Sequence, residues 1–212
     1  MVRRTIALAR LQCLKEPVRY FLSSLFFVIA LSFTPAFAEL QSFRLSPDES
    51  QIVTKIDDPF GNVVSGTLRL REGQARGDMD RLQETASVNL AIDASSYNSN
   101  LGLRDQDIQQ YYLEVQRYPV IRFDSTGVQK IERPASPKES WQITIRGRLD
   151  LHGVESEVNV PVRLLYQGNK IIAEGDFRLP LERVKIPVPR LLFLKAGNQV
   201  RVDFRIVGER QP

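Results

Sequence analysis

An all-β fold, a closed antiparallel β-barrel of eight or nine strands with one short inserted helix, is what this sequence predicts. Three observations carry the prediction. From residue 39 onward, apolar and polar residues alternate with a period of two in one segment after another. The connections between those segments carry turn residues. A single segment breaks the alternation with the spacing of a helix.

The alternating segments run in order along the chain. Gln51–Ile56 is the first strong one, with Gln41–Leu45 before it as a short ninth candidate. Val64, Gly66, Leu68 and Leu70 then alternate with Ser65, Thr67, Arg69 and Arg71. Val88, Leu90 and Ile92 follow, and after them Ile121, Phe123 and Ser125. Ile143, Ile145, Gly147, Leu149 and Leu151 make the fifth segment, and Val158, Val160, Val162 and Leu164 the sixth. Ile171–Leu181 and the run Val200, Val202, Phe204, Ile206 complete the set. Strict alternation buries one face of a strand and wets the other. His152-Gly153, Gln167-Gly168-Asn169 and the proline-containing loop Glu132–Ser140 are connections that make neighbours antiparallel. Such strands bury their apolar faces together in a barrel or a two-sheet sandwich, and strands this long suit a barrel.

The helical exception is Leu103–Leu113, where Ile108, Tyr111, Tyr112 and Val115 share one face. Ser99 or Asn100 is placed to cap it, and Asp105 and Asp107 favour its positive end. Tyr118-Pro119 ends it, because a residue before proline leaves the helical region.

Residues 1–38 read as a cleaved export signal. Arg3, Arg4, Arg10, Lys15 and Arg19 precede the apolar run Phe21–Leu31, and Pro35-Ala36-Phe37-Ala38 supplies a helix stop and small residues for cleavage after Ala38. The run is short for a membrane span. Arg3-Arg4 lies far from it for a twin-arginine signal, and a start further downstream, such as Val18, would shorten the basic stretch. Residues 39–212 form the single domain, destined for the periplasm or for secretion. Removing the signal leaves 24 basic and 24 acidic residues, so the basic character belongs to the signal and no nucleic-acid partner is expected. The only cysteine, Cys13, lies in the signal. The domain therefore has no disulfide and no thiol nucleophile. A single histidine, His152, excludes a multi-histidine metal site.

Two groups of residues carry a resemblance. Arg104-Asp105-x-x-Ile108 followed by Tyr118-Pro119-x-Ile121-x-Phe123-x-Ser125 resembles the central signature of the YceI-like polyisoprenoid-binding family. Gly147-x-Leu149-x-Leu151-His152-Gly153-Val154 followed by Val158-x-Val160-Pro161-Val162 is similar to its second signature. The resemblance spans most of residues 42–208. It implies a lipocalin-like barrel, export to the periplasm, an apolar cavity for an isoprenoid chain such as a quinone tail, and no catalytic residues. The chain departs from the family pattern at Arg183–Arg190, which is proline-rich where relatives carry an Asp-Phe-Gly-like turn, and at Lys55–Asp58, which lacks a histidine often found there.

The candidate lipid-binding residues are the inward ones: Leu68, Leu90, Ile92, Phe123, Ile145, Leu149, Val160, Val162, Phe177 and Phe204. A barrel of about eight strands is either filled by such side chains or just wide enough for one small ligand, and the resemblance favours the cavity. Arg104, Asp105, Ile108, Tyr111 and Tyr112 are candidates for the barrel mouth. Arg104 and Asp105 have a commoner alternative role, an ion pair anchoring the helix to the sheet. His152 reads as a turn residue rather than a general base. Pro187–Leu194 is either a rim that touches membrane lipid or a plug in the barrel end. A strand of ten residues rises about 34 Å, and tilted it makes a barrel roughly 25 Å tall, so a long tail bends or protrudes. The expected function is a non-enzymatic carrier or buffer whose partner is an apolar lipid, with transient membrane-surface contact and no required cofactor beyond bound lipid. The rival is a filled barrel acting as an envelope interaction or stress module.

Overall fold

The computed structural model describes residues 40–136, 140–191 and 194–212. The expected export signal and its cleavage point lie outside the described residues, as do Leu192 and Phe193 of the Pro187–Leu194 segment. The alternating segments all become strands: β1 (Gln41–Leu45), β2 (Gln51–Asp57), β3 (Val63–Gly77), β4 (Ser87–Asn98), β5 (Val120–Glu132), β6 (Trp141–Leu151), β7 (Val154–Gln167) and β8 (Lys170–Pro180). Two residue pairs, β9 (Arg190–Leu191) and β10 (Leu194–Lys195), pair with each other, and β11 (Gln199–Arg210) finishes the sheet.

β2, β3, β4, β5, β6, β7, β8 and β11 close a barrel in that order, every pairing antiparallel, with β11 returning to β2. The ninth strand adds no ninth position. β1 and β2 lie along the same two neighbours, β3 and β11, as two halves of one strand. Between them Ser46–Ser50 leaves the ladder, at the one place in this stretch where a proline, Pro47, removes a donor.

Strand direction defines two ends. One carries the start of β1 and the β3–β4, β5–β6 and β7–β8 connections. The other carries the β2–β3, β4–β5, β6–β7 and β8–β11 connections. At the second end sits the expected helix, α2 (Gly102–Asp107), which widens into a π turn over Ile108–Tyr112. Its cap differs from the expected one. Leu101 occupies the N-cap position without a side-chain bond, and Asp105 instead reaches back to accept from the Ser99 N–H and hydroxyl. The first end holds a helical piece that the alternation does not announce: a 3₁₀ turn at Met79–Arg81 running into a short helix, α1 (Leu82–Thr85). Asp78 caps it by accepting from the Asp80 N–H.

Three further features depart from plain alternation. The register of β3 shifts between Leu70 and Glu72, so the inward set changes from Leu68 and Leu70 to Ala75 and Gly77. β5 shifts register twice, after Ser125 and after Val128. Finally, the β7–β8 ladder stops at Arg163–Glu174. The next outward-bonding position toward the α2 end is Pro161, which has no N–H to offer, while β7 keeps its whole ladder with β6. The resulting seam is bridged by the β8–β11 connection, where the Ser156 hydroxyl donates to the Arg183 carbonyl and Arg183 donates to the Glu157 carbonyl.

Candidate functional site

The inward faces do not fill the barrel evenly. In the half nearer α1 they surround a cavity of about 180 Å³. Of the ten inward candidates, Leu90, Ile92, Phe123, Ile145, Leu149, Val160, Val162, Phe177 and Phe204 line it. Leu68 does not. It is buried in the core, and β3 lines the cavity instead near its other end, through Ala75 and Gly77. The lining also includes Phe43, Leu45 and Ile52 from the shared strand position, and Ile143, Leu164 and Ile206 further round. These continue the same alternation and were readable from it. Met79, Leu82 and Ala86 complete the lining from the α1 segment. Their signal was the local one of Asp78 ahead of a short helix-compatible run.

Every side chain in the lining is apolar except Arg76, which sits at the rim and donates to the Gln74 side chain. No side chain in the lining is placed as an acid, base or nucleophile. The chemistry it offers is removal of apolar surface from water, at about 25 cal/mol per Å².

Glycines shape the lining at two positions. A Cβ on Gly147 would stand 2.5 Å from the Phe123 ring, so the ring lies in the notch that Gly147 leaves. A Cβ on Gly175 would meet the Phe204 ring at 2.9 Å and the Pro161 carbonyl closer still. Each ring thus lies over a glycine of the neighbouring strand, against the wall of the cavity.

The half nearer α2 is filled. Tyr97 lies against Gly66, whose Cβ would stand 2.4 Å from the ring, and burial pushes the Tyr97 phenol above its ordinary value of 10.0. Ile121, Val158 and Leu179 pack in the same core. Leu181, Val184 and Ile186 of the β8–β11 connection, all buried, join it.

The five mouth candidates therefore sit at the end opposite the hollow half. None of Arg104, Asp105, Ile108, Tyr111 and Tyr112 lines the cavity. Arg104 and Asp105 both engage Ser99 rather than each other: Arg104 Nε donates to the Ser99 hydroxyl at 2.7 Å and its Nη2 to the Ser99 carbonyl at 3.0 Å. Gln109 adds a bond to the Tyr97 carbonyl. These contacts moor the helix to the end of β4. Ile108 and Tyr112 pack on the core, and Tyr111 is exposed. His152 does sit in the β6–β7 turn, with Gly153 beside it at positive φ as in a type I′ hairpin. Its Nε2 also lies 3.0 Å from Glu114 Oε1, and Tyr118 packs on the ring. The turn and the end of the α2 segment are thereby clasped together.

At the hollow end, Asp78 organises the α1 segment. Its carboxylate accepts from the Asp80 N–H and from Arg81 Nε, which lowers its pKa from the ordinary 3.8. Arg133, at the end of β5, donates to the Asp80 carbonyl at 2.7 Å and lies 5.6 Å above the Trp141 ring.

The family described as YceI-like domain matches residues 43–208. The chain belongs to the YceI-like family. Among solved structures, Burkholderia cenocepacia BcnA is similar at a TM-score of 0.64 and 16% identity, over 77% of this chain and 98% of that one. A polyisoprenoid-binding domain from Saccharophagus degradans implicated in plant cell wall breakdown is similar at 0.62 and 15% identity, over 82% of this chain and 100% of that one. A Campylobacter jejuni YCEI protein follows at 0.51 and 17%, over 70% and 85%. At these identities the likeness is one of fold. No curated protein matches the sequence. This YceI-like barrel thus has a family-typical wall around an interior that is half hollow and half filled.

Proposed function

We propose that this YceI-like domain is an exported, non-catalytic carrier or buffer for a long apolar lipid, an isoprenoid chain such as a quinone tail, held in the barrel interior. The observation that carries the reading is the lining of the hollow half, which offers apolar side chains at every depth and a single charged one, Arg76, at the rim. The polyisoprenoid-binding description of the Saccharophagus domain supports the ligand class. The hydrophobic drive needs no charge inside. The volume encloses only part of a long tail, so the remainder runs out past the rim. Export rests on the three-part layout of residues 1–38.

The test is extraction of the purified protein with organic solvent, followed by mass spectrometry. An isoprenoid lipid at a fixed ratio to protein is the expected result. Ile145→Glu places a carboxylate among the lining, and the variant should lose the lipid while keeping its β circular-dichroism signal. An extract free of apolar lipid, together with no uptake of added isoprenoid quinone, would rule the reading out.

One observation favours the interaction-module reading beside it. Five of the six strongly exposed large apolar side chains among the described residues lie at the filled end, Phe60, Leu101, Leu103 and Tyr111 in its connections and Val63 at the start of β3. Flotation with phospholipid vesicles, compared with Leu103→Glu, measures whether that end touches a membrane.

A further inference from the structure

We infer that the cavity is a blind pocket whose mouth, among the described residues, lies under the α1 segment, and that Phe123 and Phe177 in its floor limit the length of chain it encloses. The inference rests on the lipid-binding reading above. On the barrel strands, the lining stops before the α2 end. On β5 it reaches Phe123 but not Ile121. On β8 it reaches Phe177 but not Leu179, and on β7 Val160 but not Val158. The residues left out are the ones that fill the core. Beyond them the β8–β11 connection seals the end, with Val184 fully buried. Among the described residues, these side chains leave a chain no way through.

At the other end, among the described residues, the α1 segment covers the opening. Leu82 and Met79 face the cavity, while the polar bonds of Asp78, Arg81 and Thr85 stay within the segment itself. Its side-chain hydrogen bond to the rest of the barrel, among the described residues, is the one from exposed Arg133 to the Asp80 carbonyl. A ligand thus enters tail-first under α1, with its head and any length beyond the floor outside the rim.

Size follows from volume. An apolar cavity of about 150 Å³ holds one benzene, so the 180 Å³ here seats roughly six to eight carbons by the same measure. Binding of straight-chain alcohols should therefore strengthen about fourfold per methylene and then level off once the chain touches the floor.

The experiment is calorimetric titration of the full chain with the alcohols from butanol to dodecanol. The expected curve breaks near octanol, and Phe177→Ala moves the break to longer chains. Undiminished gains through dodecanol would overturn the blind floor and leave lipid binding standing. No saturable binding of any alcohol would defeat the lipid-binding reading itself. Should Phe177→Ala fail to fold, Ile92→Phe provides the opposite shift, toward shorter chains. Orientation has its own probe, because the only tryptophan, Trp141, stands at the mouth end beside Arg133. Octanoate brominated next to its carboxylate should quench Trp141 more strongly than octanoate brominated at its terminal carbon. The reverse order would overturn the assignment of the mouth.

Discussion

Single residues in this barrel act through the space they leave as much as through the surface they bury. Gly147 is the plainest case. Its missing side chain is the seat of the Phe123 ring, and the Asp124 carbonyl lies 2.8 Å from the same point. Gly147→Ala should therefore lower stability by about 1–3 kcal/mol through overpacking, read as a shift in the urea midpoint. Combining it with Phe123→Leu should recover part of the loss, because the two sites share one space. Phe123→Ala alone should cost less than the roughly 3–5 kcal/mol of a tightly packed phenylalanine, since one side of the ring borders the cavity. The alternation in the sequence put Phe123 and Gly147 on inward faces. It could not say that one fills the vacancy of the other, since that depends on which residues face each other across the β5–β6 ladder. There Phe123 opposes Leu149 and Ser125 opposes Gly147, a register set by bulges that leave no mark in the pattern.

At the scale of elements, strands were legible and helical pieces only partly so. Every strand of the barrel rests on a two-residue period that survives substitution of any one position. α2 was visible because its apolar spacing departs from that period. α1 was hidden because it is a single turn with one buried apolar residue, Leu82, too short for a period to register. The sequence accordingly points to α2, the more conspicuous element, as the mouth, whereas the hollow half lies at the end capped by α1. The cap of α1 has a measurable signature. The Asp80 N–H, and after it Arg81, hold the Asp78 carboxyl below its ordinary value. Its contribution is thus complete above pH 3.8 and is lost as pH falls through the lowered value. Trp141 fluorescence should change in that acid window before global unfolding, and Asp78→Asn should remove the change. An identical acid profile in the variant would show that the cap is not the titrating element.

For the whole molecule, the division into a hollow and a filled half explains how one fold accommodates both readings that the sequence left open. The filled half should account for an alkaline weakness. Tyr97 is buried and its phenol is raised above 10.0, so the unfolded tyrosine ionises first. Its share of stability is complete below pH 10.0 and falls away as pH rises through the raised value. Tyr97→Phe should flatten that decline in thermal melts taken across the range. The other whole-molecule expectation concerns maturation. N-terminal sequencing of protein from the periplasm should begin at Glu39, and a product that still carries Phe21–Leu31 would speak for a membrane anchor instead.

The seam at Pro161 has a mechanical meaning. A barrel resists widening as a hoop does, since no part of the wall can move outward without breaking hydrogen bonds along some ladder. Here the hoop is slit over part of its height. Below Pro161 no bond of the β7–β8 ladder exists to be broken, and the two contacts of Arg183 act as a lace across the slit. Any breathing of the wall is then directed to one line on its circumference. Hydrogen exchange should trace that line. The amides of Glu157 and Asn159, which point into the slit, should exchange faster than those of Val158 and Val160, which are bonded to β6, and removing the side-chain half of the lace with Arg183→Ala should bring little change in the second pair.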